Sequence, residues 1–163
     1  MNFLISIIAA IILVVIGRDF IKKHATLCYL LTTLLSIALV AGSFSGIIWT
    51  LPPWFTTTIL PILIKSTFAT SIFVIVMYTG AFKNGSKFIK FLMPIRGELS
   101  IIANILTLAH NISFGRNHFV NLFTAPETMS SNMKAAAGVS IILIAIMIPL
   151  FITSYPMIRK KMK

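Results

Sequence analysis

An imidazole held in a low-dielectric medium can move a proton, accept a hydrogen bond or ligate a metal, and His110 is the histidine of this chain set deepest in an apolar block. It lies 14 residues beyond Arg96, roughly 21 Å along a helix that rises 1.5 Å per residue. On the same stretch Ser100, Asn104, Thr107 and Asn111 recur at intervals of four, three and four residues, so they form one polar stripe beside His110. That stripe is expected to face protein, and its ordinary use is hydrogen bonding between helices. A neutral imidazole has a further use as an axial ligand of haem iron. His24, beside Lys22 and Lys23, and His118, beyond Gly115-Arg116, lie near block ends rather than at this depth and are secondary candidates.

The elements that must position these side chains are set by composition. Of 163 residues 58% are hydrophobic and 10% charged, against about 25% charged in an ordinary soluble domain. The apolar residues fall in blocks near the 20 or so residues that a hydrocarbon core of roughly 30 Å demands. This predicts an all-α, polytopic membrane bundle forming a single transmembrane domain over 1–163, with five helices near 3–17, 25–48, 58–82, 97–115 and 135–155. The first block is short and stops at Gly17-Arg18-Asp19; it reads as a retained helix, since no cation precedes it and no small-x-small cleavage pattern follows. In the second block Thr32, Thr33, Ser36, Gly42 and Ser43 supply small faces for close helix packing. Trp49 and Trp54 flank Pro52-Pro53 in an uncharged turn suited to the headgroup zone. Lys65, near the start of the third block, is expected to snorkel to the nearer interface. Lys83, Lys87, Lys90 and Arg96 surround Phe88, Ile89, Phe91 and Leu92 in a connector read as a solvated basic loop or a surface-lying segment. The polar stretch Asn117 to Lys134 is expected to be the longest loop, and Pro149 to kink the last helix.

The net charge of +11 comes from 14 Lys and Arg against three acidic residues, the cations lying mainly in clusters at 18–23, 83–96 and 159–163, with Arg116 and Lys134 in the loops of the other side. With five crossings all three clusters fall on one side, and the positive-inside rule then puts the N-terminus outside and the C-terminus in the cytoplasm of a multi-pass cell-membrane protein. These cations read as topology signals, without the aromatic interleaving or folded basic domain of a nucleic-acid binder. The single Cys28 excludes an intrachain disulfide and a CxxC motif.

The stretch Pro94-Ile95-Arg96-Gly97-Glu98-Leu99 through Leu108-Ala109-His110-Asn111-Ile112 resembles the ferric reductase-like transmembrane domain family, which includes the haem-binding membrane subunit of the periplasmic methionine sulfoxide reductase system. Ile146 to Ser154 looks like that family's next helix. The resemblance covers roughly the C-terminal half and implies a membrane electron-transfer component, an oxidoreductase part, that holds haem b. In it His110 is the candidate haem ligand and Arg96 a candidate propionate or interface contact. Family members continue into a further helix with opposing haem histidines, whereas here no histidine follows His118. The resemblance therefore implies a site completed by another chain, an unusual ligation, or a domain that has lost its haem.

Two other classes fit the same residues. One is a non-catalytic membrane subunit or assembly factor, with the stripe joining helices and other subunits or a second copy as partners. The other is a small transporter or channel lined by the stripe, which the lack of an embedded Asp or Glu disfavours. Soluble enzyme motifs (GxSxG, HExxH, Walker A, GxGxxG) are absent from the sequence.

Overall fold

The computed structural model describes residues 2–64, 66–81 and 86–154. Lys65, Lys83 and the terminal cluster Arg159, Lys160, Lys161 and Lys163 lie outside them, as do the expected ends of the third and fifth helices at 82 and 155. The described residues are helical, without strands. Four helices are long and apolar enough to cross a membrane, or five if one bent pair counts as a single span. This pattern is that of a multi-pass membrane protein: backbone amides in lipid must pair within their own segment, and an α-helix does so without a neighbour.

The chain divides into two compact units, 1–110 and 111–163. The first unit begins with α1 (Asn2–Lys23) and α2 (Ala25–Ser45). Helix α1 does not stop at Gly17; a glycine costs only about 1 kcal/mol inside a helix, and the turns continue through Arg18 and Asp19 to Lys23. Gly46 ends α2 in a left-handed conformation with φ of 77°, a backbone state that costs other residues about 1–2 kcal/mol. A 3₁₀ turn, Ile47–Thr50, folds back from there. A Cβ on Gly42 would stand 3.4 Å from Cβ of Ile48, so the missing side chain lets that turn lie close against α2.

The third block is broken rather than continuous. A π-turned segment, Phe55–Ile59, leads into α3 (Leu60–Ile64), and after Ser66, at φ of 59°, the chain resumes as α4 (Thr67–Ala81). The two pieces are bent by 41°. Thr67 repairs the break: its Oγ1 donates to the Ile62 carbonyl at 3.1 Å and accepts from Ser6 Oγ at 3.0 Å. Leu60 is fully buried there with Leu39 and Ile48, and Phe55 and Leu63 pack around them.

The basic connector is structured too. Ser86 Oγ caps α5 (Lys87–Leu92) by accepting from the Ile89 amide at 3.3 Å. Ile89 and Leu92 are buried, while Lys87 and Lys90 are exposed. A 3₁₀ turn with Pro94 near its start then leads into α6 (Arg96–His110), where the absent amide proton of proline is harmless. Within this unit α6 packs between α2 and α4, and α1 packs along α4.

The second unit opens with a π-turned segment, Asn111–Gly115, followed by α7 (Arg116–Thr124), a 3₁₀ turn at Pro126–Thr128 and α8 (Ser131–Ser154). The expected long loop is thus largely helical. Phe119 and Leu122, three residues apart, are half-buried, and α7 packs against α8, which offsets the weak helix propensity of the Asn and Thr residues around them. Helix α8 starts at Ser131 rather than 135 because Ser130 Oγ accepts from the Met133 amide at 3.3 Å, and it continues through Pro149 to Ser154.

Candidate functional site

Arg18 fixes the direction of the first unit. Its Nε donates to the Phe91 carbonyl at 2.8 Å and its guanidinium lies 4.8 Å from the centre of the Phe91 ring. The C-terminal end of α1 therefore meets α5, and with it come Lys22, Lys23, Lys87, Lys90 and the start of α6 at Arg96: one basic end. The Ser6–Thr67 contact ties the other end of α1 to the start of α4, so α1 and α4 run parallel. Helices α2 and α6 both start from the basic end.

His110 is the last residue of α6, 15 residues of helix or roughly 20 Å from the basic end, and it is half-buried. The helix carrying it is well enclosed: Leu99, Ile101, Ile102, Ala103, Ile105, Leu106 and Ala109 are all buried. The polar stripe flanks this apolar face. Ser100, Asn104, Thr107 and Asn111 are each half-buried, and Asn104 Nδ2 donates to the Ser100 carbonyl at 2.8 Å within the same helix. Asn111 begins the π-turned segment of the second unit.

The other two candidates of the first unit stand apart from His110. Arg96 is exposed at the start of α6, and His24 is exposed between α1 and α2, at the basic end with its ring 5.1 Å from Phe20. His24 and His110 thus occupy opposite ends of the unit and cannot meet at one metal. His118 is exposed on α7 of the second unit. Among the described residues no group of three or more His, Cys, Asp or Glu side chains could hold a metal ion.

A buried polar line on α2 escapes the sequence reading, which assigns Ser36 and Ser43 to close packing. Tyr29 and Ser36 are buried, and the hydroxyl oxygens of Ser36 and Ser43 are enclosed without a hydrogen-bond partner among the described residues. The three residues recur every seven positions, so they share one face of α2, whose main helical neighbour is α6. That seven-residue spacing is the signal the sequence offers.

No family model matches this chain, and no solved structure does. An uncharacterized protein of Treponema pallidum (strain Nichols) is 36% identical over 162 residues, covering 99% of this chain and 44% of the relative. The chain therefore spans less than half the length of the curated relative it matches.

Proposed function

We propose that this chain is a membrane-embedded electron-transfer component, with His110 as an axial ligand of a b-type haem and its basic end in the cytoplasm. The observation that carries the reading is a half-buried imidazole at the far end of a helix with seven buried residues, away from a basic end that holds Arg18, Lys22, Lys23, Lys87, Lys90 and Arg96. The positive-inside rule assigns such an end to the cytoplasm, which puts His110 toward an outer acceptor.

The donor set fits one axial position. His110 supplies the right atom type, and the buried Leu106 and Ala109 beside it limit water. His24 fails as the opposing ligand because it lies at the other end, so a second ligand would come from elsewhere, either His118 of the second unit or a second polypeptide. Haem bound there would supply one-electron redox chemistry; the chain's part is to hold and orient it. Arg96, exposed at the basic end, serves the reading as an interface cation.

A second reading, a non-catalytic membrane subunit, is favoured by the Asn104–Ser100 bond, because it satisfies part of the stripe within the helix and leaves less for a cofactor to do. Oxidised and reduced absorption spectra of the purified protein after haem supplementation separate the two. A Soret band that survives His24→Ala and disappears in His110→Ala is expected. A colourless protein overturns haem binding and leaves the subunit reading, and a band retained in His110→Ala overturns His110 as the ligand.

A further inference from the structure

Helices α1, α4 and α5 enclose a half-open cavity of about 350 Å³ whose lining is apolar apart from Tyr78. Ile11, Val14 and Val15 form one wall, Ile75 another, and Phe88 and Phe91 a third. The third wall has a second character. Between its two aromatic residues and just before them, α5 carries exposed Lys90 and Lys87, and α1 carries Arg18 about one turn beyond Val15 before it ends in Lys22 and Lys23.

We propose that this groove binds an anionic phospholipid, its acyl chain along α1 and α4 and its phosphate on Lys87 and Lys90. Charge complementarity selects this occupant over a neutral chain. Arg18 is engaged with the Phe91 carbonyl, the Phe91 ring and Asp19, whereas Lys87 and Lys90 are exposed on α5, each next in sequence to an aromatic residue that lines the slot. Basic side chains at the mouth of a pocket between membrane helices are the arrangement that holds anionic headgroups, and lipid tails supply the apolar surface that the slot excludes from water. The inference does not depend on His110 or on haem.

The test uses the full chain in micelles containing equal amounts of phosphatidylglycerol and phosphatidylcholine, with the lipid retained by the protein counted by native mass spectrometry. Wild type is expected to retain phosphatidylglycerol preferentially. Each cation near an anionic surface contributes about a fivefold factor, so Lys87→Gln with Lys90→Gln should reduce that preference roughly thirtyfold. Val15→Trp, placed at an exposed groove position, should lower retention of both lipids. Equal retention of the two lipids by wild type, an unchanged preference in the double Gln variant, or a neutral isoprenoid as the retained species overturns the proposal. Because both lysines are exposed, the double Gln variant decides the matter even if Val15→Trp does not fold.

Discussion

Replacing Arg18 by Met keeps the aliphatic stem and removes the hydrogen bond and ring contact by which Arg18 ties α1 to α5. Three interactions are lost, and their sizes differ. The Nε–H donated to the Phe91 carbonyl at 2.8 Å is a charge-assisted bond worth about 1.5–3 kcal/mol. The guanidinium over the Phe91 ring, with an Arg18 side chain 25% exposed, falls between the exposed and desolvated limits of a cation–π contact, about 1 kcal/mol. The Asp19 pair adds little, because that carboxylate is 86% exposed. Arg18→Met should therefore destabilise by about 3 kcal/mol, read from equilibrium unfolding in mixed micelles by Trp fluorescence from Trp49 and Trp54. Phe91→Leu deletes the ring but keeps the carbonyl, so a double-mutant cycle isolates the ring term, expected at about 1 kcal/mol. A loss under about 0.5 kcal/mol for Arg18→Met, within the range of ordinary surface substitutions, or a coupling of zero would refute the assignment of α5 to α1 through this residue.

Thr67→Val removes both hydroxyl bonds at the break between α3 and α4; polar contacts in membrane helices average about 0.6 and reach about 1.7 kcal/mol, so a loss of about 1–3 kcal/mol is expected, and a cycle with Ser6→Ala should show coupling in the same unfolding assay. Gly46→Ala and Ser66→Gly form an opposed pair. The first should destabilise by about 1 kcal/mol and the second stabilise by somewhat less, since each left-handed residue carries about 1–2 kcal/mol of steric cost against an entropic term of about 0.4–1 kcal/mol; shifts of the same sign in the two variants would contradict those backbone conformations.

Most of the helical architecture is legible because apolar block length is a coarse quantity that a few polar residues do not disturb. Helix ends are less so. Gly17-Arg18-Asp19 reads as a stop because glycine and charge usually mark an exit, but Arg18 is spent on Phe91, 73 residues away, and no local pattern announces that bond. The stretch 117–134 reads as a loop from its Ser, Thr, Asn and Pro content, while the spacing of Phe119 and Leu122 carries the opposing hint. The break at Ser66 has no glycine or proline to betray it. At the candidate site, the position of His110 near the end of an apolar helix follows from counting residues, and so does the separation of His24. Ser36 and Ser43 escape such a reading because small polar residues on a membrane helix usually signal close packing, and burial of their oxygens is a tertiary fact.

Helix α6 is clamped along two sides, seven of its fifteen residues being buried, whereas α2 buries three of twenty-one. A side chain on such a member inherits the rigidity of its neighbours, because close-packed interiors resist compression. Any group bound through His110 would accordingly be held with small positional fluctuation, and relaxed variants of the Leu99 to Ala109 face should broaden its spectroscopic signature before they abolish binding.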